Sequence, residues 1–110
     1  MRSFSFLLFA ASAFAASCYS DSGCGNCESH DSMYAARQDF CGSDKWSFQN
    51  SEAWGDALIS LSGHFDSPQS CWDGFAQIID QCYGQKNGGT FDWDYNGNSA
   101  HLDVDFCSCR

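Results

Sequence analysis

Apolar and polar residues alternate with period two along "FDWDYNGNSAHLDVDF", from Phe91 to Phe106. Before Asn96-Gly97, Phe91 and Trp93 take one parity and Asp92 and Asp94 the other. After it, Ala100, Leu102, Val104 and Phe106 oppose His101, Asp103 and Asp105. Asn-Gly favours a two-residue type I′ turn. Placed there, it sets Tyr95 opposite Asn98, Asp94 opposite Ser99, Trp93 opposite Ala100, Asp92 opposite His101 and Phe91 opposite Leu102. Every apolar residue then falls on one face, as a one-sided hairpin requires. The same letters place Asp92, Asp94, Asn96, Gly97, Asn98 and Asp103 at ligand positions of a helix-loop-helix calcium site. Such a loop needs a helix on each side. Upstream stands "QKNGGTF" and downstream the alternating "VDFCSC", so the pattern predicts a hairpin.

Helical spacing marks two further segments. In "SHDSMYAARQDFCG", Ser29 or Asp31 can cap a start, Met33, Ala36 and Phe40 share a face, and Gly42 stands at a stop. In "DSPQSCWDGFAQIIDQCYG", Ser67 precedes Pro68, Gly84 follows the last turn, and Cys71, Trp72, Phe75, Ile78, Ile79 and Cys82 form one stripe. Between the helices, "KWSFQ" alternates with Trp46 and Phe48 on one side, and "DALISLSGHF" with Ala57, Ile59 and Leu61 on one side. Four strands with one apolar face each predict an antiparallel sheet covered on that face. The expected fold is α+β: a two-layer sandwich ordered helix-strand-strand-helix-strand-strand, both helices on one side and disulfides as staples.

The first fifteen residues, "MRSFSFLLFAASAFA", do not belong to that pattern. A basic Arg2, a short apolar run and the Ala13-x-Ala15 spacing read as a signal peptide cut after Ala15. The run is too short to span a bilayer. The expected organisation is therefore a removed leader over 1–15 and a single secreted domain over 16–110.

All eight cysteines, Cys18, Cys24, Cys27, Cys41, Cys71, Cys82, Cys107 and Cys109, follow the cut. An even count in a small exported chain reads as a disulfide framework rather than a redox or zinc motif. Cys71 and Cys82 share a helix face but lie about 16 Å apart along it, too far to bridge each other. The arm from Ser17 to Cys27 has no apolar pattern of its own, so it must be held by bridges. At least one of Cys107 and Cys109 is expected to pair with it, and Cys24 is not expected to pair with Cys27. By parity with Asp103 and Asp105, Cys107 and Cys109 are expected away from the helix side or at the sheet edge. The formal charge of −9 excludes a mainly electrostatic nucleic-acid or anionic-membrane binder. No Asn-x-Ser/Thr sequon is present.

Catalytic candidates are few. His101 opposite Asp92 has the form of a base held by a carboxylate, but the preferred reading is a cross-strand charge pair in solvent. No metal or cofactor is expected. For binding, Trp54 in the polar loop "QNSEAWGD", with Asn50, Glu52 and Asp56 around it, can anchor a protein partner or stack on a sugar. The acidic hairpin face of Asp92, Asp94, His101, Asp103 and Asp105 is the other candidate surface.

The leader, the N-terminal Cys-Tyr-Ser, the "CWDGFAQIIDQC" helix, the following "NGG" and the C-terminal cysteines together resemble small secreted cysteine-rich proteins of filamentous fungi. Many of those are effectors delivered to a host. The element order is also similar to α/β-sandwich killer toxins and to a small family of fungal glycan-binding lectins. Cys71, Phe75, Ile78, Cys82, Gly88 and Gly89 match the lectins' helix followed by Gly-Gly. The resemblance implies a monomeric, non-enzymatic effector or toxin-like protein, acting outside the producing cell or in a host apoplast by binding a host protein or glycan. A carbohydrate-binding module is the alternative, and a secreted hydrolase such as a nuclease the second alternative.

Overall fold

The computed structural model describes residues 15–48 and 50–110. The expected leader therefore lies, apart from Ala15, outside the described residues. The chain folds as α+β: the described residues form three helices and a five-stranded antiparallel sheet, with all eight cysteines in four disulfides. In chain order these are β1 (Ser17–Cys18), α1 (His30–Cys41), α2 (Lys45–Phe48), β2 (Ser51–Trp54), β3 (Ala57–Gly63), α3 (Pro68–Cys82), β4 (Gly88–Tyr95) and β5 (Asn98–Asp105). The sheet order is β1-β4-β5-β3-β2.

The hairpin forms in the register its turn dictates. Phe91 pairs with Leu102, Asp92 with His101, Trp93 with Ala100, Asp94 with Ser99 and Tyr95 with Asn98. Asn96 (φ 57°) and Gly97 (φ 83°) hold the left-handed backbone of a type I′ turn. The inward residues of the three central strands, Ala57, Ile59 and Leu61, Phe91 and Trp93, and Ala100, Leu102 and Val104, are all buried. They form one core with Met33, Ala36 and Phe40 of α1 and Phe75, Ile78 and Ile79 of α3. Gly74 lets α3 lie close to β4, since a Cβ there would meet the Phe91 ring at 2.5 Å.

Capping explains where the helices begin and end. Ser29 is the N-cap of α1, its hydroxyl accepting from the Ser32 N–H at 3.1 Å, and Gly42 is the C-cap. Ser67 occupies the N-cap of α3 ahead of Pro68 but makes no side-chain cap bond; Ser70 Oγ bonds Asp66 nearby instead. Gly84, at φ 86°, turns the chain after α3. Trp72 lies at the margin of the α3 stripe, half-buried, with its ring 4.6 Å from the Arg37 guanidinium carbon.

The structure corrects the expected layout in four places. "KWSFQ" is not a strand: Lys45–Phe48 forms the single helical turn α2, and Gln49 lies outside the described residues. Ser43 Oγ accepts from the Lys45 N–H and the Asp44 carbonyl accepts from the Ser47 N–H, so local capping overrides a five-residue alternation. Trp46 is consequently only half-buried and Phe48 is 69% exposed, rather than both lining the core. The first strand of its pair is Ser51–Trp54, so Trp54 ends a strand instead of standing in a loop. The arm is also not wholly irregular. Ser17 and Cys18 pair with Thr90 and Gly89 to add a fifth strand, where a side chain at Gly89 would meet Cys82 Sγ at 2.7 Å.

The bridges join Cys18 to Cys82, Cys24 to Cys109, Cys27 to Cys107 and Cys41 to Cys71. Cys24 and Cys27 do not pair with each other, and both C-terminal cysteines reach the arm. Cys107 is buried where it meets Cys27 of the arm, whereas Cys109 is exposed. Regular β5 ends at Asp105, the Phe106 N–H turns to the Asn87 carbonyl, and Cys107 forms an isolated bridge with Cys27.

Candidate functional site

The residues around Trp54 serve the scaffold. The Trp54 Nε1–H donates to Ser32 Oγ at 3.1 Å, and the Ser32 hydroxyl donates to Glu28 Oε1 at 2.7 Å. Glu28 Oε2 accepts the Asp56 N–H at 2.7 Å, and the Asp56 carbonyl accepts from Arg110. Trp54 packs half-buried against the core. Glu52 faces Lys45, whose ammonium lies 2.9 Å from Glu52 Oε2 and 2.6 Å from Asp39 Oδ2. Burial raises the pKa of Glu52, while the Lys45 hydrogen bond lowers that of Asp39. Asn50 sits beyond the other end of β2, its carbonyl accepting the Leu61 N–H. These four residues therefore do not share one surface around an exposed tryptophan.

Glu28 gives a testable pH dependence. The Asp56 N–H and then the Ser32 hydroxyl favour its carboxylate, which lowers its pKa against a smaller opposing effect of burial. A carboxylate depressed in the folded state contributes stability above its unfolded value, and that contribution is lost as pH falls through the folded value. The thermal midpoint of Glu28→Gln should therefore lie below wild type at neutral pH. The gap should close on acidification below about pH 4. A gap of constant size across that range would mean the carboxylate does not hold the turn.

The acidic hairpin face divides in two. Asp103 and Asp105 are half-buried because the arm and the tail cover them. The Tyr19 hydroxyl donates to Asp103; burial first, and then that bond, push the Tyr19 pKa far above the ordinary phenol range. Asp105 accepts from the Cys107 N–H at 3.0 Å and faces Arg110, and burial raises its pKa. Asp92, Asp94 and His101 stay exposed. His101 Nδ1 lies 2.5 Å from Asp92 Oδ1, so the cross-strand pair is formed.

These three residues line an open concavity of about 410 Å³ with Ser62, Gly63 and Ser99. Its floor is built by strand register: Ser62, His101 and Asp92 stand in one row across β3, β5 and β4, and Ser99 and Asp94 in the next. Gly63, at φ 78°, lets the end of β3 lie close to β5, because a Cβ there would sit 2.2 Å from the Ser99 carbonyl oxygen. The arrangement offers carboxylate acceptors, an imidazole and two hydroxyls within one shallow bowl. Ser62 and Ser99 were absent from the candidates, although their parity with His101 and Asp94 on the polar face already pointed to them.

The sulfurs of Cys24, Cys27 and Cys107 also cluster, all within 4.8 Å of one another. Each belongs to a disulfide, so the cluster has no thiolate to offer a metal. No described helix is long and apolar enough to cross a membrane.

A search of curated proteins finds no match to the chain. Residues 28–110, from Glu28 through α1 to the last residue, match the family described as alpha-galactosyl binding lectin. That span contains both main helices, the four longer strands and the whole hairpin concavity, and on it the chain belongs to the alpha-galactosyl binding lectin family.

Proposed function

We propose that this protein is a non-catalytic lectin that works outside the cell and holds a terminal α-galactosyl residue in the hairpin concavity. Membership of the family carries this reading, and it moves glycan binding ahead of the effector or toxin expectation. Four disulfides suit an extracellular setting. An effector role remains compatible if the glycan belongs to a host or a competitor.

The chemistry of the bowl supports the location. Sugar hydroxyls are donors, and carboxylates accept from them in charge-assisted hydrogen bonds, stronger than neutral ones. Asp94 is exposed and has no hydrogen-bond or ion-pair partner among the described residues, while Asp92 is oriented by His101. An open bowl of about 410 Å³ suits the end of a glycan better than the middle of one. The hydrolase reading draws on the same His101–Asp92 pair. No hydrogen bond joins Ser62 to His101 among the described residues, so the row is not assembled as a nucleophile and base.

A glycan array with the mature protein tests the function. Ligands ending in α-galactose should dominate, and Asp94→Ala should weaken them about 10- to 100-fold, the usual worth of a hydrogen bond to a charged group. An array without α-galactosyl ligands would refute the function. Unchanged binding by Asp94→Ala would refute the site.

A further inference from the structure

A second recess, of about 300 Å³, lies where β4 begins and β5 ends, at the opposite end of these strands from the bowl. Tyr83, Phe106 and the Cys27–Cys107 bridge give it an apolar wall, and Lys86 and Asn87 line it too. Asn87, 8% exposed, is the only buried polar side chain among the described residues. Its N–H donates to the Asp21 carbonyl and its own carbonyl accepts the Phe106 N–H, so its backbone is fixed between the arm and the tail. The Cys24 N–H donates to Asn87 Oδ1 at 3.3 Å, which orients the carboxamide. Nδ2, a donor of two hydrogen bonds, then has no partner among the described residues. Folded proteins rarely leave a buried donor unmet. Charge points the same way. Lys45 and Arg110 face carboxylates, and Arg37 is stacked between Tyr34 and Trp72. Exposed Lys86 has no carboxylate partner among the described residues, its ammonium lying 3.4 Å from the Ser20 carbonyl. None of the chain's 14 Asp and Glu residues lines the recess.

We propose that this recess binds a small organic carboxylate with an apolar body. The carboxylate accepts from Asn87 Nδ2 and from the Lys86 ammonium, and the body lies against Tyr83 and the Cys27–Cys107 bridge. Hydrogen bonds to a charged acceptor are stronger than neutral ones, which favours an anion over a neutral carbonyl here. The volume stands at the low end for ligand sites, so the body is about the size of one ring. The recess shares no lining residue with the bowl, and Asn87 stands about 20 Å from Asp94 at about 3.3 Å of strand per residue. The two sites are separate, and this one does not depend on sugar binding.

Titration of the mature protein with phenylacetate, followed by nitrogen–proton NMR, tests the site, with phenylacetamide as the uncharged control. Phenylacetate should move the Asn87 side-chain NH₂ signals saturably and bind about tenfold more tightly than the amide, the worth of a hydrogen bond to a charged group. Lys86→Gln, a change at an exposed position, should weaken phenylacetate about tenfold. Asn87→Asp keeps an oxygen for the Cys24 N–H but replaces the donor with a like charge, and should abolish binding. Asn87 NH₂ signals that stay in place at saturating phenylacetate would overturn the site. Equal affinity for phenylacetamide, or unchanged affinity in Lys86→Gln, would overturn the assignment to a carboxylate.

Discussion

Removing both bridges at the chain ends should cost more than twice the loss of either one. Cys24–Cys109 and Cys27–Cys107 span 85 and 80 residues, yet they hold the same two ends of the chain. With one in place, the other closes only a small ring, and the chain-entropy estimate for its loss is about 2 kcal/mol. With neither, the large loop opens as well, and the combined loss is about 6 kcal/mol. Cys18–Cys82 moderates the figure, because it still ties the root of the arm to the end of α3. Guanidinium unfolding of the two paired-cysteine-to-alanine variants and their combination checks this. A combined loss equal to the sum of the single losses would mean that the bridges act independently and do not back one another up.

Phe75→Ala should lower stability by about 3–5 kcal/mol, the usual cost of emptying a buried aromatic site. Phe75 is fully buried, midway along the inward stripe of α3, in the cluster that joins both main helices to the sheet. Set against the 5–15 kcal/mol that stabilises a typical domain, this single change removes a large share. Chemical denaturation with the disulfides intact measures it. A loss under about 1 kcal/mol would be the cost of a surface position, and α3 could not then be the lid of the sheet.

Legibility in the sequence followed the number of independent signals at each place. The Phe91–Phe106 hairpin had a turn dipeptide and two alternations that agreed, and its register forms as they dictate. The α3 stripe ran for three turns and left no competing period. "KWSFQ" offered two aromatics in five residues, too few to separate period two from a helical turn, and Ser43, Asp44 and the ion pairs of Lys45 decided it. Strand β1 is two residues long and carries no apolar signal. Its place comes from Cys18–Cys82 and from the bare backbone of Gly89.

The candidate site divides the same way. The Asp92–His101 pairing followed from register alone. The bowl did not, because it depends on Gly63 lacking a side chain, on β2 stopping at Ser51, and on Tyr19 covering Asp103 from a distant part of the chain. Trp54 misled because a tryptophan among polar neighbours resembles an exposed anchor. Its partner Ser32, and the Glu28 that Ser32 donates to, lie more than twenty residues away.

The shortness of the two outer strands has a consequence for self-association. β1 covers β4 only at Gly89 and Thr90, so the edge of β4 from Phe91 to Tyr95 pairs with no strand among the described residues. An uncovered edge is a template for a second chain, and natural proteins guard such edges with charge. Asp92 and Asp94 are the guards here. A second β4 edge docking against the first would bring four carboxylates together. The residues proposed to hold the sugar thus also keep neighbouring molecules from adding strands, and replacing both with neutral residues would remove ligand contacts and colloidal protection in one step.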